Sequence, residues 1–286
     1  MKLLVINADD FGLDPAVNAA VAKGHTEGVL TSASLMVNAP HVDKAAAFAK
    51  SHPQLGVGIH LCLVDGRPVS GASEIEALVD GQGNLPRGPF ELSRMLRRDE
   101  RVAAAIEVEL RAQIQKFTST GLKPTHLDSH MHTHMHPRIL PIVATLAREN
   151  GIAYVRAPVE PLARSLRCNA ERLPRKLARW LVFASLGARS KRVLRQAGLR
   201  TADQSIGVLD AGHVTEPFLT AYLPLLPDGL TEIFMHPAAE ASVTLATTQH
   251  GYENVAELAA LCSSRVRELI DRSGIRLTNF GVSGSD

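Results

Sequence analysis

The sequence predicts an α/β protein built as a (β/α) barrel. Short apolar runs alternate with helical stretches along most of the 286 residues, which indicates parallel strands joined by crossover helices. No glycine-rich phosphate loop follows the first apolar run, which favours a closed or nearly closed barrel over a doubly wound nucleotide-binding sheet. The length suits one domain of this kind.

Each element follows from a local pattern. Apolar runs predict strands at residues 3–6, 31–37, 55–63, 125–129, 152–155, 232–235 and 276–280. Helices are predicted at 14–27, 41–50, 101–120, 137–150 and 253–273. Asp14 and Pro15 are a typical helix start, and Gly121 and Gly151 are typical helix stops. A polar loop rich in Gly and Pro is predicted from the third strand to about residue 89.

Composition excludes several classes of protein. Hydrophobic residues make up 45% and charged residues 21% of the chain, as in a globular protein with a sizeable core. The three cysteines have no C-x-x-C spacing, which argues against a disulfide scaffold or a cysteine-rich zinc site and is typical of a reducing compartment. The sequence shows no signal-peptide core and no run of about 18 apolar residues. We therefore expect a cytoplasmic protein.

Positive charge is concentrated in one segment. Residues 164–200 contain eleven Lys or Arg residues and one acid, whereas the whole chain has 31 basic and 29 acidic residues. Within it, Leu177, Trp180 and Leu181 have the spacing of an apolar helical stripe with cations beside it. Two interpretations stay open: an ordinary helix packed on the barrel, or an interfacial helix that contacts anionic lipid. No nucleic acid partner is expected.

Polar side chains stand at the ends of the predicted strands, where (β/α) barrels carry their chemistry. The first strand ends in Asp9 and Asp10, and the third carries His60. The fourth ends in residues 128–130 (Asp-Ser-His), and a late strand ends in His236. Because the carboxyl ends of parallel strands share one mouth, these side chains are predicted to lie together.

A histidine cluster adds to this prediction. Five of the twelve histidines occupy even-numbered positions between residues 126 and 136. In an extended segment such residues share one face, and imidazole with carboxylate suits zinc, iron, manganese or, less typically, magnesium. An open catalytic site needs only about three protein ligands. We therefore expect one or two of these histidines to bind metal and the others to pack or hydrogen-bond.

Three residues form the predicted catalytic set, each with an alternative. Asp9 is a general base beside a metal ligand, Asp10, unless one of the pair only caps the following helix. His236, before Pro237, is a general acid that protonates a leaving amine, or a turn residue. Arg156 is a buried partner that orients a catalytic carboxylate, or a surface arginine.

Four ordered motifs resemble a known family. They are residues 7–13 (Asn-Ala-Asp-Asp-Phe-Gly-Leu), 58–61 (Gly-Ile-His-Leu), 124–130 (Pro-Thr-His-Leu-Asp-Ser-His) and 235–238 (Met-His-Pro-Ala). With their spacing they resemble the YdjC-like carbohydrate deacetylases, the ChbG/HpnK family. The resemblance implies a TIM-like (β/α) barrel, distorted and incomplete forms included. It also implies metal-dependent removal of acetyl groups from N-acetylated sugars.

The same resemblance implies roles for single residues. Asp10, His60 and His130 match the ligand positions for one divalent metal ion, zinc or magnesium. Asp9 matches the base, and His236 the catalytic histidine.

One departure from the family pattern leaves roles open. Met131 follows His130, whereas some relatives continue with two further histidines. His132 and His134 are therefore grouped with Asp128 as residues that support the ligands or contact substrate.

The resemblance extends to one branch of the family. Residues 29–37, 232–238 and 257–261 resemble the hopanoid-associated HpnK branch, which implies an N-acetylglucosamine-type sugar on a glycosylated hopanoid lipid. Alternatives are a deacetylase of soluble chitooligosaccharides, a metal-dependent phosphoesterase or endonuclease, and a non-enzymatic, histidine-rich metal-binding protein. We expect one domain over residues 1–286 with a basic helical insertion at about 160–205. The protein is expected in the cytoplasm, with peripheral contact to the inner face of the membrane as an option.

Overall fold

The computed structural model describes residues 1–282, in which seven parallel strands form one curved sheet. The strands are β1 (Lys2–Phe11), β2 (Ser32–Leu35), β3 (Gly56–Leu61), β4 (Leu127–Ser129), β5 (Gln204–Ile206), β6 (Gly229–Met235) and β7 (Ile275–Leu277). Their order is β4-β3-β2-β1-β6-β5, and β7 pairs with β1. All pairings are parallel, as the alternation of strands and helices predicted.

The sheet curls into a distorted barrel. An isolated bridge joins Leu127 of β4 to Val155, and another joins Tyr154 to Arg200, shortly before β5. The strand predicted at 152–155 is wrong in extent, because the pairing is limited to these single-residue bridges at Tyr154 and Val155. The predicted fold class, a TIM-like barrel in distorted form, is confirmed.

Helices cover the outside of the sheet. Among residues 1–282 they are α1 (Pro15–Thr26), α2 (Val42–Ser51), α3 (Gly88–Arg98), α4 (Arg101–Ser119), α5 (Leu140–Glu149), α6 (Leu162–Cys168), α7 (Leu173–Gln196), α8 (Glu216–Tyr222), α9 (Val243–Thr248), α10 (Asn254–Leu261) and α11 (Ser264–Arg272). Short 3-10 helices span Ala72–Glu74, His130–Met135 and Leu223–Leu225. None of the helices described is both long enough and apolar enough to cross a lipid bilayer.

The helix predictions need correction in two respects. α3, α8 and α9 were not predicted, and α3 begins at Gly88-Pro89, a pair that in the sequence suggests a loop. The single helix predicted at 253–273 is two helices, because the Ser263 side chain accepts a hydrogen bond from the Val266 N–H and starts α11. The predicted cap of α1 is present, with Asp14 accepting from the Ala16 N–H.

The central strand, β1, directs its side chains to two different faces of the sheet. Ile6 packs in the main core between sheet and helices, whereas Val5 packs with Tyr154 in a smaller cluster inside the barrel. Asn7 and Asp9 continue the face of Val5, because side chains alternate along a strand. β1 therefore directs polar side chains into the barrel as it approaches its carboxyl end.

Candidate active site

The end of β1 presents two neighbouring carboxylates to the mouth of the barrel. Regular alternation would turn Asp10 away from Asp9. However, Asp10 has a left-handed φ of 60°, and the register between β1 and β2 shifts between Ala8 and Phe11. This irregularity turns Asp10 inward as well, and both carboxylates are buried.

Asp10, His60 and His130 come together as one cluster. His130 Nδ1 lies 2.8 Å and His60 Nε2 lies 3.3 Å from the same oxygen, Asp10 Oδ1. The three candidate ligand atoms lie within 4.8 Å of one another. One carboxylate oxygen and two imidazole nitrogens suit a divalent cation such as zinc. These residues therefore fit the predicted metal site.

Asp128 fixes the orientation of His60. Its Oδ1 lies 2.7 Å from His60 Nδ1, the ring nitrogen that does not face Asp10. A carboxylate in this place sets the tautomer of a metal-binding histidine and makes the other nitrogen a better ligand. Ser34 Oγ in turn donates to Asp128 Oδ2 at 2.7 Å.

Arg156 is fully buried and binds three carboxylates. Its guanidinium donates to both oxygens of Asp9 at 2.7 and 2.8 Å. It also lies 2.7 Å from Asp128 Oδ2 and 2.8 Å from Glu232 Oε1. The central carbon of the guanidinium, Cζ, lies over the Phe234 ring, 4.4 Å from the ring centroid. Of the two interpretations left open by the sequence, the structure places Arg156 as the buried partner of a carboxylate.

The cluster carries more negative than positive charge. The cluster contains the guanidinium of Arg156 and four buried carboxylates, those of Asp9, Asp10, Asp128 and Glu232. Burial opposes a charged imidazole, but Asp128 and the hydrogen bond to Asp10 outweigh it and raise the pKa of His60 to about 10. A site that stabilises a proton on a buried ring also stabilises a cation.

A second possible ligand group overlaps the first. It consists of Asp9, His60 and Asp128. Both carboxylates of this group already bind Arg156. Their charge is therefore partly neutralised, and the group with Asp10 is better suited to a metal ion.

His236 lies next to the catalytic carboxylate predicted from the sequence. Its Nε2 is 4.0 Å from Asp9 Oδ2. Its backbone N–H donates to Glu257 at 2.5 Å, and its ring contacts the Tyr252 ring edge-on at 5.0 Å. Burial lowers the pKa of His236, while the charges of Asp9 and Asp10 act in the opposite direction.

The histidine-rich segment is not extended, contrary to the arrangement considered from the sequence. His130–Met135 is a 3-10 helix in which Met131 and His132 have left-handed φ values. The turn is held by Ser129 Oγ, which accepts from the His134 N–H at 3.0 Å. Period-two alternation therefore fails, and these histidines do not share one face.

Only His130 of this segment reaches Asp10. The His132 ring packs between Phe183 and Phe234, with centroids 5.3 Å away in both cases. His134 Nε2 lies 2.8 Å from the Arg156 carbonyl oxygen. His132 thus borders the cavity, whereas His134 supports the backbone of the buried arginine.

The site opens into a cavity of about 540 Å³. Its polar part includes Asp9, Asp10, His60, His130 and His236. Its apolar wall comes from α3 and α7 and includes Pro89, Phe90, Leu92, Val182, Phe183 and Leu186. Phe90 is 80% and Val182 is 53% exposed, so the apolar wall reaches the outer rim. The basic segment therefore forms part of the cavity.

Sequence reasoning missed several polar residues of the site. Asn7 donates to Asp9 Oδ1 at 2.8 Å, and Gln249 donates to Asp10 Oδ2 at 2.7 Å. Glu232 can be recognised from the sequence as a candidate, since a carboxylate inside a buried strand needs a charged partner. Gln249 cannot be recognised in this way, because it lies in a segment without apolar periodicity.

Comparison with known families assigns the chain. Residues 3–272 match the family model described as YdjC-like protein. The chain belongs to the YdjC-like family. All four sequence motifs lie within the matched range, so the family prediction is confirmed.

Relatives of this YdjC-like chain match along almost their whole length. A carbohydrate deacetylase of Brevibacillus brevis is 36% identical over 282 residues, covering 98% of this chain and 99% of the relative. A chitooligosaccharide deacetylase of Salmonella paratyphi B is 32% identical over 280 residues, covering 98% of both chains.

A solved structure shares the fold. The crystal structure of an Enterococcus faecalis protein, described as a candidate cellobiose-phosphate cleavage protein, matches with a TM-score of 0.77 and 27% identity. The match covers 98% of this YdjC-like chain and 97% of the other.

Proposed function

We propose that this YdjC-like protein hydrolyses the N-acetyl group of an N-acetylglucosamine-type sugar. The observation that carries the proposal is the cluster of Asp10, His60 and His130 next to Asp9 and His236 at the mouth of one cavity. Similarity to enzymes named carbohydrate deacetylase supports the reaction type.

The cation ligands in this proposal are Asp10, His60 and His130, and the cation is zinc or magnesium. When bound there, a divalent cation would polarise the acetamide carbonyl and lower the pKa of a water molecule.

In this proposal Asp9 removes a proton from the attacking water. Arg156 holds both of its oxygens and Asn7 holds one, so the carboxylate keeps its position while it takes the proton. The water oxygen bonds to the acetyl carbon, and the C–N bond breaks. His236, in its protonated form, gives a proton to the amine nitrogen, and acetic acid and the free amino sugar leave. The proton that Asp9 took from water replaces the one that His236 gave, and the acetic acid loses its remaining proton to solvent.

Substitution of the ligands should separate metal binding from proton transfer. Asp10→Ala, His60→Ala and His130→Ala are each expected to reduce metal content, because each removes one of three protein ligands. Asp9→Asn keeps the shape of the side chain and is expected to retain metal while losing turnover. Metal content after dialysis, measured by mass spectrometry, and acetate release check both. An empty Asp9→Asn together with a fully loaded His60→Ala would mean that the roles are misassigned.

The proposed substrate carries its sugar on a glycosylated hopanoid lipid. The apolar wall formed by α3 and α7 supports this choice, since an oligosaccharide chain needs polar partners for its hydroxyl groups. Acetate release from an N-acetylglucosaminyl lipid and from chitobiose tests it. Acetate from chitobiose alone would leave the soluble-substrate alternative, and acetate from neither would overturn the deacetylase proposal.

We also propose that α7 contacts anionic lipid next to the cavity. Leu177 is 40% and Leu181 is 67% exposed, so the helix shows apolar side chains to solvent. Four exposed cations, Arg175, Arg189, Arg192 and Arg195, lie on the same helix, which carries no acidic residue. Two copies of such a helix would repel each other, whereas an anionic bilayer attracts them, at about 1 kcal/mol per nearby cation.

One cation counted from the sequence does not belong to this surface. Lys176 is 1% exposed, and its ammonium lies 2.8 Å from the Asp210 carboxylate. This ion pair ties α7 to the loop after β5, so Lys176 is structural.

Vesicle binding should depend on the exposed cations of α7. The protein is expected to sediment with anionic vesicles at low salt and to be released at high salt, because salt screens the attraction. Replacing Arg175, Arg189 and Arg192 by glutamine should abolish most of this binding and spare acetate release from a small soluble sugar. The matched control replaces three exposed lysines elsewhere, Lys44, Lys50 and Lys123. Equal loss in both triple variants, or no binding by the wild type, would contradict the lipid contact.

A further inference from the structure

Gln249 links the proposed cation site to the strand end that carries His236. It follows α9 and is buried, although its neighbours His250 and Thr247 are exposed. Its Nε2 donates to Asp10 Oδ2 at 2.7 Å. Its Oε1 accepts from Asn254 Nδ2 at 2.5 Å.

The direction of this chain of hydrogen bonds is fixed by a backbone carbonyl. Asn254 Nδ2 also donates to the His236 carbonyl oxygen at 2.6 Å. That oxygen can only accept, so Asn254 must turn its amide nitrogen towards it and towards Gln249. Gln249 consequently meets Asn254 with its oxygen and Asp10 with its nitrogen.

The two carboxylate oxygens of Asp10 therefore have different partners. Oδ2 is held by Gln249, and Oδ1 alone faces His60 and His130. The left-handed φ of Asp10, 60°, sets the direction in which its side chain leaves β1.

We infer that Gln249, held by Asn254, is a positioning residue that makes Asp10 a one-oxygen ligand. This inference rests on the proposed metal site. A single oxygen suits zinc or magnesium, whereas calcium accepts two oxygens of one carboxylate and more ligands in all. Gln249 thus contributes to the choice of cation as well as to its affinity.

Calorimetric titration of the metal-free protein with Zn²⁺ and with Ca²⁺ tests the inference without any turnover. Gln249→Leu is expected to weaken Zn²⁺ binding by about 10–100-fold, the usual effect of losing a partner of a metal ligand. The affinity for Ca²⁺ should fall less than the affinity for Zn²⁺, so the preference of the site for Zn²⁺ over Ca²⁺ decreases. Thr247→Ala, on the same segment and exposed, is the matched control and should bind as the wild type does.

A second variant keeps the test decisive if Gln249→Leu does not fold. Asn254→Ser leaves Gln249 in place but removes the group that orients it, and should weaken Zn²⁺ binding in the same direction. Wild-type Zn²⁺ affinity and an unchanged Zn²⁺ to Ca²⁺ ratio in a folded variant would overturn the role of Gln249 while leaving the metal site intact. Absence of stoichiometric Zn²⁺ binding by the wild type would overturn the metal site and this inference together.

Discussion

Replacing Arg156 by methionine should destabilise the protein by about 3–5 kcal/mol, the cost of leaving buried charges without their partner. The guanidinium is the shared partner of Asp9, Asp128 and Glu232, and its side chain is 0% exposed. Methionine fills much of the volume but neutralises no charge. Denaturant unfolding of the purified variant measures the loss, and acetate release should fall with it because Asp9 is no longer held.

Two further variants sharpen this prediction. Arg156→Lys keeps the charge but cannot form the fork that binds both oxygens of Asp9, so it should regain stability only in part. Arg111→Met is the matched control: Arg111 also binds two carboxylates, Glu107 and Glu149, but its side chain is 42% exposed. Exposed pairs contribute about 0–1 kcal/mol. Similar losses for Arg111→Met and Arg156→Met would mean that burial of the cluster is not what makes Arg156 important.

His236→Ala should lower turnover on an N-acetyl sugar by about 10²–10⁴-fold, the usual contribution of a positioned acid or base. The reason is that an amine leaves poorly without a proton. An aryl acetate ester has a leaving group that scarcely needs one, so its hydrolysis should fall much less. Steady-state rates on both substrates give the comparison, with the exposed His250→Ala as control. Equal losses on amide and ester would assign His236 to positioning and not to proton donation.

Much of the site could be predicted because each residue directly follows an apolar run. Asp9, His60, His130 and His236 all stand at or just beyond the end of a buried strand, and a parallel barrel brings such ends together. The local pattern therefore sufficed to assemble residues that are far apart in the chain.

The features of the site that were not predicted from the sequence depend on distant contacts or on single backbone angles. The turn at His130–Met135 rests on a left-handed pair and on the Ser129 hydroxyl, and neither leaves a periodic signal. Gln249 and Asn254 reach Asp10 and His236 from a segment that looks like any polar loop. In α7 the spacing predicted the helix, but only the fold shows that Lys176 is buried against Asp210.

The central position of β1 bears on how the chain folds during its synthesis. The end of β1 pairs on one edge with β2, which comes early in the chain, and the start of that edge pairs with β7. The opposite edge of β1 pairs with β6, from Lys2 to Ala8. Until β6 and β7 leave the ribosome, one row of β1 backbone groups stays open and can recruit a strand from another chain. Pairing between such distant segments is also slow. Nascent chains that stall before β6 should therefore be the form of this protein that aggregates and engages chaperones.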